Sequence, residues 1–156
     1  MRRFIFSCLA IITGLAMMTL SASAGPLSAY RWEARPVLVF APSLGEAQLT
    51  RQVDLFRQSS DMIDERDVVI LLVAGDTGDP FVRFGPQGLK LLPPSSRPLN
   101  RTLRETYCVP IEAFTVILIG KDGGEKKRWR EVVDPRAIFS AIDSMPMRQR
   151  EMREGK

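Results

Sequence analysis

The sequence predicts an α/β domain in which a central mixed sheet of four or slightly more strands is flanked by helices. Three apolar runs rich in β-branched residues have the length of strands buried on both faces, and they are residues 36–40, 67–73 and 114–119. Apolar residues at helical spacing lie between the first two runs and before the third. A strand, a helix and a strand form a βαβ unit, so we expect the first two strands to pair in parallel.

The first helix is expected directly after the first strand. Ser43 and Glu46 have the S-x-x-E spacing of a capping box, in which the two side chains bond to the free N–H groups at the helix start. Leu49, Val53 and Phe56 follow at i, i+4 and i+7, so they share one face of a helix that runs to about residue 60. The polar stretch 61–66 then leads to the second strand.

Residues 74–98 show no regular pattern and are rich in glycine and proline. So long an irregular segment is typical of a functional loop or an insertion. It also contains five large apolar side chains, Phe81, Phe84, Leu89, Leu91 and Leu92. We expect these to pack on the sheet; a protein-docking surface is the alternative.

The C-terminal part predicts a helix, a hairpin and a final helix. Leu99, Leu103 and Tyr107 are four residues apart and indicate a short helix. A Lys-Asp-Gly-Gly turn at 121–124 joins the third strand to a charged fourth strand at 125–131. The last helix is expected to open with an Asp-Pro pair, Asp134 and Pro135, to bury Ile138, Phe139 and Ile142, and to stop before Pro146. The charged segment 147–156 is expected to fray.

The first 24 residues have the features of an export signal. Arg2 and Arg3 precede an apolar run without charge at 4–20, and Ala22-Ser23-Ala24 offers the small-x-small pattern that signal peptidase accepts. An uncleaved anchor is the alternative, but about 17 residues is at the lower limit for spanning a bilayer. We therefore expect residues 1–24 to be a signal peptide, 25–150 one folded domain and 151–156 a charged tail. The mature protein would be periplasmic or secreted, with membrane contact only through the signal peptide before cleavage.

Composition excludes several function classes. The chain has no histidine, so it has no Ser-His-Asp triad, Cys-His dyad or imidazole metal ligand. Removing Arg2 and Arg3 with the signal leaves 20 basic against 18 acidic side chains, and a nearly balanced charge argues against a nucleic-acid partner. Cys8 is removed as well, so Cys108 remains alone and cannot form an intrachain disulfide.

Residues 112–123, EAFTVILIGKDG, resemble the thioredoxin segment in which a cis-proline and a threonine precede an apolar strand and a Lys-Asn/Asp-Gly turn. Phe114 stands where that proline would be. The order β-α-β, long loop, α and β-β-α is also the thioredoxin order. This resemblance implies a thioredoxin-like fold for residues 25–150.

A closer resemblance covers nearly all of the mature chain. It rests on Tyr30-Arg31-Trp32, on RPVLVFAP at 35–42, ERDVV at 65–69, the segment 114–124 and DSMPMRQREMR at 143–153. These segments resemble the uncharacterised family called domain of unknown function 4174. That resemblance implies a fold similar to thioredoxins and peroxiredoxins and an exported setting, because related domains occur in animal extracellular-matrix and sushi-repeat proteins. It implies no particular reaction.

Thioredoxins carry their nucleophilic cysteine at the start of the first helix, and the resemblance places Ser43, Glu46 and Phe114 at the equivalent positions. A serine without a histidine to activate it has no thiolate chemistry. We therefore expect Ser43 and Glu46 to cap the helix, and the chain to be a non-catalytic binding or accessory module. The alternative is a peroxiredoxin-like oxidoreductase that uses Cys108, with Arg101 and Arg104 upstream as partners for a thiolate. Otherwise Cys108 is expected to be a small buried side chain at a helix end.

Three further sites are weaker hypotheses. Asp76 with Asp79, or Asp61, Asp64 and Asp67, lack the spacing of a calcium loop, so we expect solvated carboxylates and no metal or cofactor. Met145, Met147 and Met152 could supply soft ligands for Cu(I) but are more typical of gap-filling side chains. A basic hairpin, formed by Lys121, Lys126, Lys127, Arg128 and Arg130, is typical of a protected sheet edge, with an anionic surface as alternative partner. The partner we expect is an unknown envelope or extracellular protein.

Overall fold

A five-stranded mixed sheet organises the part of the chain that the computed structural model describes, residues 25–77, 81–84 and 99–155. The strand order is β3-β2-β1-β4-β5. The strands are β1 (Arg35–Ala41), β2 (Val68–Ala74), β3 (Phe81–Phe84), β4 (Thr115–Ile119) and β5 (Glu125–Trp129). The helices are α1 (Ala47–Arg57), α2 (Ser60–Glu65), α3 (Leu99–Tyr107), α4 (Pro135–Asp143) and α5 (Pro146–Glu154), with a 3-10 turn at Ser28–Tyr30.

The strand pairings confirm the predicted fold class. β1 pairs in parallel with β2, with Val37 opposite Ile70, and in antiparallel with β4, with Val37 opposite Leu118. β4 and β5 form the predicted antiparallel hairpin. A mixed sheet with this order and with flanking helices agrees with a thioredoxin-like arrangement.

The sheet is buried on both faces, which is why its strands read as continuous apolar runs. Val37 and Val39 of β1 belong to a core that α1, α2 and α4 complete, whereas Leu38 and Phe40 belong to a second core with Leu103 of α3. The first core also includes the predicted helix residues, Leu49, Val53, Phe56, Ile138, Phe139 and Ile142. Asp134 accepts a hydrogen bond from the Arg136 N–H at 2.8 Å, so the predicted N-cap of α4 is confirmed.

The predicted capping box does not form. Helix α1 begins at Ala47, its N-cap residue is Glu46, and no side chain caps it. Ser43 is exposed, and its carbonyl oxygen accepts the Glu46 N–H at 3.4 Å. Because residues 43–46 form a turn that delays the helix, Ser43 is too far upstream to reach the first free N–H groups.

Three other expectations are wrong. Residues 61–66, predicted as a linker, mostly belong to α2, which is anchored by fully buried Ile63. The segment predicted to lack regular structure contains β3, an added antiparallel strand beside β2; residues 78–80 and 85–98, with Asp79, Leu89, Leu91 and Leu92, lie outside the described residues. The tail predicted to fray forms α5, which runs across the expected domain boundary at 150.

No helix in residues 25–77 or 99–155 combines the length and the apolar character needed to cross a membrane.

Candidate functional site

The positions singled out by sequence lie at the edge of the sheet where β1 ends. Phe40 of β1 pairs with Thr115 of β4, so Phe114 and the loop that follows β1 lie at the same edge. Phe114 is buried in the core, whereas Ser43 is exposed and Glu46 half-buried. The three positions therefore lie near one another at this edge, although the side chains of Ser43 and Glu46 form no hydrogen bond with each other.

A buried arginine, Arg104, holds this edge together. Its guanidinium donates to the main-chain carbonyl oxygens of Ala41 at 2.6 Å, Gly75 at 2.7 Å and Pro110 at 2.7 Å, with a longer bond to Val73 at 3.3 Å. Ala41 and Val73 lie at the ends of β1 and β2, and Pro110 lies on the segment that leads to β4. One side chain of α3 therefore joins three segments that meet at the carboxyl ends of the parallel strands.

Arg104 is 5% exposed and has no carboxylate within hydrogen-bonding distance among the described residues. Burial lowers the pKa of its guanidinium, and the negative charges of Asp76 and Glu112 partly oppose that effect. The group stays protonated, since arginine does not lose its charge in proteins. Its carbon Cζ lies 5.5 Å from the centre of the Phe40 ring, where the ring face attracts a cation.

Asn100 lies one helical turn before Arg104 and completes this edge. Its Nδ2 donates to the carbonyl oxygens of Ala74 and Thr77, both at 2.9 Å. Its Oδ1 is buried and has no hydrogen-bond partner in the described structure. Asn100 was not predicted from the sequence, and Arg104 was predicted only as a neighbour of Cys108. The sequence feature that indicates both is a pair of polar residues at i, i+4 spacing on a helix whose apolar face is narrow.

Cys108 is exposed, and the prediction of a buried thiol is wrong. It has a left-handed backbone conformation, with φ of 51°, directly after α3. The Val109 N–H donates to the Arg104 carbonyl at 2.9 Å and the Cys108 N–H to the Glu105 carbonyl at 3.3 Å. These two bonds define a Schellman motif, in which the left-handed position is usually glycine. The Cys108 Sγ lies 3.8 Å from the Glu105 carbonyl oxygen, which accepts a thiol proton and offers nothing to a thiolate.

A second polar cluster lies at the opposite edge of the sheet, where β1 begins. Arg35, 1% exposed, donates to both carboxylate oxygens of Glu151 at 2.9 Å. Lys121 Nζ lies 2.9 Å from Glu151 Oε1 and 2.8 Å from Asp67 Oδ2. Burial raises the pKa of Glu151, but the hydrogen bonds and charges of Lys121 and Arg35 outweigh it, so the net shift is downward. These ion pairs attach α5 to the sheet.

Arg148 and Arg66 extend this cluster toward α2 and α4. Arg66 forms a two-bond pair with Asp143 at 2.8 and 2.9 Å. Arg148 is 2% exposed and lies 3.2 Å from Glu65 and 3.6 Å from Asp143. The Arg66–Asp143 and Arg148–Glu65 pairs have no local signal in the sequence, because their partners lie far apart in the chain.

The described residues do not assemble a metal site. They contain no group of three His, Cys, Asp or Glu side chains that could hold an ion. Met145 packs against the core, whereas Met147 and Met152 are exposed. Since Met147 and Met152 are five residues apart on α5, they point about 140° apart around the helix.

The basic hairpin is partly neutralised. Lys121 pairs as described above, Lys126 pairs with Asp122 at 2.6 Å and Arg128 pairs with Glu125 at 2.7 Å. The Lys126 side chain also crosses Gly120, where a Cβ would overlap Lys126 and Asp122. Lys127 lies over the Trp129 ring.

Together, the fold and this edge define an α/β domain of thioredoxin-like arrangement that has no cysteine where β1 leads into α1. The chain belongs to the family described as domain of unknown function (DUF4174), whose model matches residues 26–151.

Relatives of known name share this region. The chain is 26% identical over 146 residues to the Homo sapiens sushi repeat-containing protein SRPX, covering 94% of this chain and 30% of that protein. It is 26% identical over 135 residues to the Rattus norvegicus sushi repeat-containing protein SRPX2, covering 86% of this chain and 28% of that protein. It is 28% identical over 133 residues to the Danio rerio coiled-coil domain-containing protein 80, covering 81% of this chain and 15% of that protein. The chain therefore spans less than a third of these relatives.

Proposed function

We propose that this chain is an exported binding or accessory domain that performs no thiol chemistry. The observation that carries the proposal is the Arg104 contact set at the edge of the sheet. A guanidinium bonded to the ends of two strands and to Pro110 gives this edge a structural role, and the segment between β1 and α1 contains no cysteine. The relatives support the same view, because in each of them the matching domain is one part of a longer protein.

The exported setting rests on the N-terminal segment. A basic start, an uncharged apolar run and Ala22-Ser23-Ala24 favour cleavage before Gly25. The mature domain is then periplasmic or secreted, and its partner is a protein of the envelope or the extracellular space.

The competing function is a peroxiredoxin-like oxidoreductase, which the exposure of Cys108 favours. The test compares the wild type with Cys108→Ser for reduction of hydrogen peroxide in the presence of a dithiol reductant. We expect equal rates at the level of the reductant alone. A wild-type rate that rises with enzyme concentration and disappears in Cys108→Ser would establish the oxidoreductase and overturn our proposal.

A further inference from the structure

Two neighbouring cavities lie between the β4–β5 hairpin and the corner where α4 meets α5. The first has a volume of about 410 Å³ and the second about 640 Å³. They share Lys126, Met145 and Pro146 and therefore adjoin. We call the two cavities together the hairpin groove.

The lining of the hairpin groove has a net positive charge. The five basic side chains along it are Arg35, Lys121, Lys126, Lys127 and Arg150. One carboxylate, Asp122, lines it, and that carboxylate is engaged by Lys126 at 2.6 Å. Glu151 and Asp67 offset the charges of Arg35 and Lys121. Lys127 and Arg150 form no ion pair within residues 25–77 and 99–155, so they leave two exposed positive charges at the groove.

Apolar side chains form the floor of the groove, beside Ser140 and Ser144, and this floor meets a helix start. Met145 and Pro146 line both cavities, Met147 lines the first, and Ala137 and Ala141 line the second. Helix α5 begins here without a side-chain cap and without an acidic residue in its first turn. The N–H groups at its start add positive potential to that of the basic side chains.

We propose that the hairpin groove binds an extended acidic peptide of a partner protein, one in which carboxylates alternate with apolar side chains. In an extended chain, successive side chains point to opposite sides, so one set can lie on the methionine and alanine floor while the other meets Lys127 and Arg150. Charge complementarity of this kind speeds association and selects the partner. The concave shape and apolar floor favour a peptide over a flat anionic membrane. This inference rests on the proposed binding function and names the chemistry of its partner.

The test uses a short synthetic peptide that alternates glutamate and valine, and a second peptide with glutamine in place of glutamate. Binding to the mature domain is followed by fluorescence anisotropy as NaCl is raised. We expect the glutamate peptide to bind, the glutamine peptide not to bind, and the affinity to fall with salt. The double variant Lys127→Gln/Arg150→Gln should lose about fivefold or more in affinity.

The matched control is Arg51→Gln/Arg57→Gln, which removes the same charge from two exposed positions on α1, away from the groove. It should bind the glutamate peptide as the wild type does. An equal loss of peptide affinity in both double variants, or no binding of the glutamate peptide to the wild type, would overturn the proposal that the groove binds acidic peptides. Binding of phosphatidylglycerol vesicles or a sulfated oligosaccharide that depends on Lys127 and Arg150, without peptide binding, would also overturn it. Peroxide turnover that requires Cys108 would instead overturn the proposed function and leave the peptide result standing.

Discussion

Arg104 and Cys108 are four residues apart at the end of α3, yet one is buried and the other is exposed. On a regular helix that spacing would place both on one face. The helix ends before Cys108, whose left-handed backbone breaks the helical repeat, and the thiol is exposed although Arg104 and Cys108 line the same cavity. Sequence reasoning predicted a helix end at this point but assigned the burial to the wrong residue, since cysteine is the more apolar of the two.

Replacing Cys108 with glycine should stabilise the domain. A residue with a Cβ pays a steric cost at φ of 51°, and glycine does not. We expect the free energy of unfolding in urea to rise by about 0.5–1 kcal/mol. Cys108→Ala is the control, because it removes the thiol and keeps the Cβ, and it should unfold like the wild type. Equal stability of the glycine and alanine variants would refute the steric explanation.

Replacing Arg104 with methionine should destabilise the domain strongly. The substitution keeps much of the side-chain length but removes the charged donor of the Ala41, Gly75 and Pro110 carbonyl oxygens. Ala41 and Pro110 still accept the N–H groups of Gly75 and Ala113, whereas the Gly75 carbonyl oxygen loses its donor. A hydrogen bond to a charged group contributes about 1.5–3 kcal/mol, so we expect a loss of about 3 kcal/mol in urea unfolding. Arg101→Met is the control: Arg101 is exposed and pairs with Asp76, and its loss should cost about 1 kcal/mol or less. A similar cost for both variants would contradict the role given to Arg104.

At the scale of elements, a helix or strand could be predicted from the sequence where apolar packing attaches it to the core, and not where ion pairs attach it. Helices α1, α3 and α4 place apolar residues at helical spacing. Strands β1, β2 and β4 are continuous apolar runs, and both patterns are visible in the sequence. Helix α5 buries only one side chain, that of Arg148, and is attached by ion pairs to residues far away in the chain. No local pattern reports such contacts, so the charged segment resembled a disordered tail.

Glu151→Gln should weaken the attachment of α5. The change removes the negative charge between Arg35 and Lys121 and leaves the buried Arg35 without its main partner, at a cost of about 3 kcal/mol in the free energy of unfolding. Glu33→Gln is the control, because Glu33 is exposed and forms no ion pair in the described part of the chain. Its free energy of unfolding should differ from that of the wild type by no more than about 0.5 kcal/mol.

The stabilising effect of the Glu151 ion pairs with Arg35 and Lys121 depends on pH. Because the pKa of Glu151 is lowered in the folded protein from its usual value of 4.5, its stabilising effect is fully present above that value and is lost as pH falls through the folded-state pKa. Urea unfolding of the wild type and Glu151→Gln should therefore differ most near neutral pH, and the difference should shrink as pH falls below 4.5 through the folded-state pKa. A difference that stays constant down to pH 3 would show that the carboxylate charge is not what holds α5.

At the scale of the whole molecule, the sequence predicted a mixed sheet, the parallel pairing of β1 with β2 and the β4–β5 hairpin, and it directed attention to the edge at which β1 ends. It did not predict what occupies that edge, because the partners of Arg104 are main-chain atoms from three segments and carry no side-chain signature. The hairpin groove was likewise visible only as a run of basic residues, since its floor comes from Met145, Pro146 and α4, which are distant in sequence.

The proposed cleavage of the signal peptide predicts a mature chain with a single thiol. N-terminal sequencing of the protein recovered from cells should start at Gly25, and a thiol assay in denaturant should then find one reactive group per chain, from Cys108. Because no intrachain disulfide can form, the urea midpoint should be the same with and without a reductant. A second thiol, or a chain that starts at Met1, would contradict cleavage of the signal peptide.

The pairing of β1 with β4 also sets the order in which the domain can fold. Val37 lies opposite Leu118, so the two central strands come from distant parts of the chain and their contact closes a long loop. A fragment of residues 25–113, which ends before β4, should show no cooperative unfolding by circular dichroism, whereas residues 25–156 should. While the chain is synthesised, one side of β1 thus has no partner until β4 emerges, and most of the folding transition is delayed to that moment.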